Sequence, residues 1–152
     1  MLRVFLLALV WQFATEHDPL GQPVYVAEVV PDQVRSLRFM CGGVTGVVLQ
    51  FNLGEVEYAG SAYSAGDPAF EDVRFAFIEG NYDTSAKRAP ITDGVGTYEI
   101  KGSDAAFIAG LLKDSESVEI RRGEASFRFP LDGARGAIDE ALNACPFKYP
   151  ES

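Results

Sequence analysis

The chain has 152 residues, with 13 Lys plus Arg against 22 Asp plus Glu, giving a net charge of −9. That length suits one domain around a single core, and 47% hydrophobic with 23% charged residues is a globular composition that excludes a fibrous or disordered chain. The acidic balance, with no cluster of more than two adjacent positive charges, argues against nucleic-acid binding, which begins with a basic footprint.

In chain order, residues 1–10 form an apolar segment that fits two descriptions. One Arg before an apolar run has the charge order and length of a signal peptide, and the run is too short to span a bilayer. The same residues read as a first strand, with Phe5, Leu7, Leu9, Trp11 and Phe13 on one face. Residues 11–150 are assigned to one folded domain. Period-two alternation then dominates. Strands are expected at 24–30, ended by Pro31, at 36–41, ended by Gly42 and Gly43, and at 44–52, with the last two pairing antiparallel at hairpin distance. A strand at 72–78 places Val73, Phe75 and Phe77 on one face and Arg74 on the other, and one at 96–102 does the same with Tyr98 and Ile100.

Two segments change period. Over 103–113, Phe107, Ile108, Leu111 and Leu112 make a helical apolar stripe, with Ser103 as N-cap and Asp104 suiting the positive helix end. "SVEIRRG" and "ASFRFPLDG" return to alternation, with Phe127, Phe129 and Leu131 inward and Pro130 marking an edge strand or a strand end. A last helix over 133–145, capped by Asp132, aligns Ala134, Ala137, Ile138, Ala141, Leu142 and Cys145 on one stripe before Pro146 ends it. The sum is an α+β fold, mainly β: an antiparallel sheet, curved or folded into a sandwich, with a short helix near 103–113 and a C-terminal helix near 133–145. The stretches 60–70 and 80–96 are longer than hairpin loops and are the expected carriers of function.

The two cysteines allow two readings. Cys41 shares the face of Leu37 and Phe39, and Cys145 lies on the apolar stripe of the last helix. They can meet in one small core as a disulfide, or remain two buried thiols, since cysteine is among the most buried residues.

A Trp-led strand followed by "DPLGQPVYVAEV", the strand "LRFMC", then "DAAFIAGLLKDSESVEIR" and "FRFPLDGARGAIDEALNAC" resembles small secreted bacterial envelope proteins. The nearest resemblance is to the type VI secretion-associated periplasmic protein family, and a more distant one to the invasion-associated locus B family, over about residues 11–147. The resemblance implies a periplasmic or secreted, disulfide-bonded, β-rich domain of accessory role, with Cys41 and Cys145 as the paired cysteines. The sequence departs from the pattern in lacking a lipobox and a full signal peptide.

Chemistry-bearing patterns are sparse. His17, in "TEHDPLG", reads as an exposed turn residue, and no H-x-x-H, C-x-x-C or D-x-D cluster accompanies it. There is no G-x-S-x-G, and "CGGVTG" lacks the Lys-Ser/Thr of a phosphate loop. Asp83 and Asp93 share one stretch and are the sole candidate carboxylate pair for hydrolysis. The expectation is therefore no metal, no cofactor and no catalytic residue: a non-catalytic envelope accessory or interaction protein, with another envelope protein as partner and no membrane span in the folded domain. Small-molecule or glycan binding inside a curved sheet is the alternative, and an unrecognised hydrolase stands behind it. Within 80–96, Tyr82, Lys87 and Arg88 are the candidate contact residues, because aromatic and Arg side chains are enriched at protein interfaces.

Overall fold

A computed structural model of the chain describes residues 8–43, 46–56, 70–88 and 95–145. Among the described residues, nine strands and two helices follow one another as β1 (Ala8–His17), β2 (Pro23–Val30), β3 (Arg35–Gly42), β4 (Gly46–Val56), β5 (Phe70–Ala76), β6 (Asn81–Arg88), β7 (Val95–Lys101), α1 (Ser103–Lys113), β8 (Ser117–Arg122), β9 (Ala125–Pro130) and α2 (Ala134–Ala144). The strands form one sheet in the order β1-β2-β3-β4-β7-β6-β5-β8-β9, with every pairing antiparallel. The α+β expectation holds, and a curved single sheet replaces the sandwich alternative.

The curvature follows from contacts between strands that a flat sheet would hold apart. β1 and β9 are eight strand spacings from one another, or about 38 Å in a flat sheet. Yet the Trp11 backbone N–H donates to the carbonyl of Asp132, just past β9, at 2.9 Å, and the Trp11 indole Nε1–H donates to the carbonyl of Pro130 at 2.8 Å. Likewise the Arg35 guanidinium of β3 lies 4.6 Å from the centroid of the Phe127 ring on β9. Gly133 sits where these ends meet. Its φ is +81°, and a Cβ there would stand 2.9 Å from the Val10 side chain and 3.3 Å from the Trp11 carbonyl.

The inner face of the curl holds the core. Leu37, Phe39 and Cys41 of β3 stand opposite Phe51, Leu49 and Val47 of β4, and Tyr98 and Ile100 continue the layer on β7. Val73, Phe75, Val118, Ile120 and Phe129 extend it across β5, β8 and β9. α1 contributes Ala105, Ile108, Ala109 and Leu112, and α2 contributes Ala134, Ala137, Ile138 and Ala141. Cys41 and Cys145 form a disulfide with Cα atoms 5.7 Å apart, tying the end of α2 to β3. The outer face carries Val26, Met40 and Val48 in one register row and, elsewhere, ion pairs, among them Arg38 to Glu28 at 2.8 Å and Arg74 to Asp83 at 2.7 Å.

Several expectations are corrected. The stretch 80–96 is not a loop throughout: β6 occupies Asn81–Arg88, and residues 89–94 lie outside the described residues. Only Ala86 on that strand is fully buried, so its hydropathy alternation is faint. Most of 60–70 also lies outside the described residues, and β5 begins at Phe70. Neither helix takes its expected side-chain cap, because Gly102 and Gly133 occupy the N-cap positions. A glycine there reaches positive φ, which displaces Ser103 and Asp132 from the capping role. His17 is the exposed last residue of β1 instead of a turn residue. Leu9 is 61% exposed, since the pairing of β1 with β2 is irregular between Ala8 and Gln12 and breaks the one-face pattern drawn through Trp11.

Candidate functional site

The three candidate contact residues lie on one strand and face three different surroundings. Tyr82 and Arg88 point to the inner side of the sheet at opposite ends of β6, and Lys87 is exposed on the outer face opposite Glu99. The structure therefore does not unite them in one patch. Tyr82 belongs to a groove beside α1, and Arg88 to an arginine cluster at the other end of the strands.

The groove is built from the β5–β6 turn and the exposed flank of α1. Phe77 and Gly80 exchange backbone hydrogen bonds, at 2.9 Å and 3.3 Å, and so pinch Ile78 and Glu79 into a two-residue tip. Such tips ordinarily carry Gly, Asn or Asp, and here Ile78 is 72% exposed. On α1, Phe107 and Leu111 are spaced i, i+4 beside the buried stripe, and Phe107 is 54% exposed, not inward as its helical spacing implied. Phe77, Glu79, Asn81, Tyr82, Phe107 and Leu111 line a recess of ≈ 430 Å³ that Asp114 and Ser115 help to bound. Its lining is mainly apolar, and of its two carboxylates Asp114 is paired with Arg135 of α2 while Glu79 sits at the tip of the turn.

Tyr82 fixes the floor of this groove. Its hydroxyl donates to Asp104 Oδ1, and the Thr84 hydroxyl donates to Asp104 Oδ2, so one carboxylate in the first turn of α1 pins the helix to β6. The hydrogen bond to Asp104, then burial and the negative charge, push the Tyr82 phenol above its ordinary value. The Tyr82 ring packs 5.1 Å from that of Phe107. Tyr82 thus combines a structural anchor with a groove-lining surface.

At the far end of the inner face, Glu71 of β5 receives two arginines. Arg88 Nη2 donates to Oε1 at 3.2 Å and Arg122 Nη1 of β8 donates to Oε2 at 3.0 Å. Both guanidinium groups lie over the buried Tyr98 ring, 5.9 Å and 4.7 Å from its centroid, while Tyr98 stacks on Phe51 at 5.5 Å. Burial pushes the Arg122 guanidinium below its ordinary value. Arg35 of β3, stacked over Phe127, stands at the same end of the inner face. Sequence reading singled out Arg88 as an interface-type side chain within 80–96 and missed Glu71 and Arg122. The signal available was a charged residue on the apolar set of a strand: Glu71 alternates with Val73 and Phe75, and Arg122 with Ile120 and Val118.

Of the candidate carboxylate pair behind the hydrolase alternative, one member is described. Asp83 is on the outer face of β6, where its hydrogen bond to Arg74 holds its carboxyl below the ordinary value, and Asp93 lies outside the described residues. Among the described residues, no group of three or more His, Cys, Asp or Glu side chains is placed to hold a metal ion, and no helix is long and apolar enough to cross a membrane.

The chain matches no protein-family model, no curated protein and no solved structure.

Proposed function

We propose that this protein is a non-catalytic interaction domain of the bacterial cell envelope, with a secretion-associated accessory role, and that it docks a segment of another envelope protein in the groove beside α1. The observation that carries this reading is the exposure of Phe107 on the wall of a mainly apolar recess. Exposing a large apolar side chain beside an apolar recess costs stability unless something covers it, and apolar recesses of this kind mark contact sites. The occupant is a segment that presents an apolar side chain next to Lys or Arg, because Glu79 borders the recess and the chain carries a net charge of −9. The disulfide supports an oxidising compartment, as does the resemblance to periplasmic proteins.

Panning a random peptide library against the oxidised protein tests the groove. Enriched peptides should pair an aromatic or aliphatic residue with an adjacent basic one. They should lose binding to Phe107→Asp and bind Glu79→Lys about tenfold more weakly, a change of about 1.4 kcal/mol. Enrichment of acidic peptides, or binding indifferent to Phe107→Asp in a variant that melts like wild type, would overturn the reading. Osmotic-shock fractionation tests the compartment, with the protein expected in the released fraction and its thiols oxidised.

A further inference from the structure

We propose that the cluster of Glu71, Arg88, Arg122 and Tyr98 is a carboxylate-binding site, in which a ligand carboxylate takes the place that Glu71 occupies in the free protein. Glu71 shows how the site holds such a group: one oxygen to Arg88 at 3.2 Å and the other to Arg122 at 3.0 Å. A guanidinium carries five N–H donors in a rigid fork, so it can serve several acceptors at once and matches carboxylate geometry.

Three observations separate this arrangement from a surface ion pair. The first is depth. The side chains of Arg88 and Arg122 are 17% and 15% exposed while that of Glu71 is 33% exposed, so the carboxylate overlies the arginines and faces out. Exchange of one carboxylate for another then begins with a rotamer change of Glu71. The second is rigidity. Both guanidinium groups lie on Tyr98, which is fully buried and stacked on Phe51, so the cationic floor is held before a ligand arrives. The third is position. Arg121, Arg128 and Arg74 sit on the outer face with their acidic partners, whereas Arg88 and Arg122 project from the face that elsewhere carries the core. Arg35, paired with Asp32 at 2.7 Å, stands at the same end.

The carboxylate can belong to a small organic acid or to an acidic side chain, and the test separates the two. Arginine Nε–Hε signals of the oxidised protein are followed by NMR at pH 7 and constant ionic strength during titration with citrate, with acetate, and with a blocked Gly-Glu-Gly peptide. Sodium chloride is the reference. Saturable movement of the Arg88 and Arg122 signals by at least one of the three is expected, and the tighter of the small acids and the peptide identifies the source. Glu71→Gln removes one competing charge and should tighten binding about tenfold, a gain that misfolding cannot produce. Arg122→Lys keeps a cation but loses the fork and should weaken binding about tenfold. The proposal is overturned if neither wild type nor Glu71→Gln shows saturable movement, if chloride moves the signals equally, or if Glu71→Gln binds no more tightly than wild type. This outcome is independent of the α1 groove, whose variants lie at the other end of the strands.

Discussion

Asp32 organises the entry to β3 by itself. Its Oδ1 accepts the backbone N–H groups of Val34 at 2.9 Å and Arg35 at 2.7 Å, and Oδ2 pairs with the Arg35 guanidinium at 2.7 Å. Burial pushes the carboxyl up, but the backbone donors and the guanidinium outweigh it and hold the group below its ordinary value of 3.8. Asp32→Ala should cost about 1 kcal/mol at pH 7, the scale of a partly exposed hydrogen-bonded turn. Because the folded-state value is depressed, the contribution is present above 3.8 and is lost as pH falls through the folded value. Melting curves of wild type and variant should therefore converge below about pH 4; a gap unchanged at pH 2.5 would show that the carboxylate charge is not what stabilises the turn. At this scale the sequence was legible where a residue's role is set by its own alternation, as for Cys41, and illegible where it is set by distant strands. Glu71, Arg88 and Arg122 are separated by 17 and 34 positions along the chain, and only the pairing of β5 with β6 and β8 brings them together.

Among the elements, α2 depends most on long-range contacts. Its buried stripe packs on β1, β2 and β3, and the disulfide closes a separation of 104 residues. Ile138 is fully buried, so Ile138→Asp would place an unpaired charge in the core and should cost about 3–5 kcal/mol. Soluble yield or the thermal midpoint should collapse, and a variant melting like wild type would remove α2 from the core. Replacing both cysteines by Ala should lower unfolding free energy by about 2–5 kcal/mol, measured by urea titration under identical conditions. Both helices and most strands could be read from periodicity because their buried stripes are apolar. β6 could not, since its inner set is Tyr82, Thr84, Ala86 and Arg88, two of which serve Asp104 and one Glu71. The polar work of that strand hid its secondary structure. The helix starts misled for a related reason: Ser103 and Asp132 have good capping chemistry, but neighbouring glycines supply the backbone turn.

For the molecule as a whole, what distinguishes a curled sheet from a sandwich is the order of non-sequential strands. β4 pairs with β7, and β5 with β8, and neither adjacency leaves a mark in local sequence. The curl is then locked where its ends approach, by Trp11 against Pro130 and Asp132 and by Arg35 over Phe127. This closure fixes the two ends of the inner face as separate surfaces, one beside α1 and one carrying the arginines. Trp11→Phe isolates the contribution of the indole N–H, since the ring stays largely apolar and the backbone bond from Trp11 to Asp132 is retained. The Pro130 carbonyl loses its 2.8 Å donor in a half-buried setting, so the variant should lose about 1–2 kcal/mol. Native-state hydrogen exchange gives the discriminating readout. Exchange should accelerate at the amides of Trp11, Ala134 and Ala137, which sit at the junction, while the amides of β5 and β6 keep their protection relative to global unfolding. Equal acceleration throughout the sheet would mean that Trp11 supports the whole core without holding the curl closed.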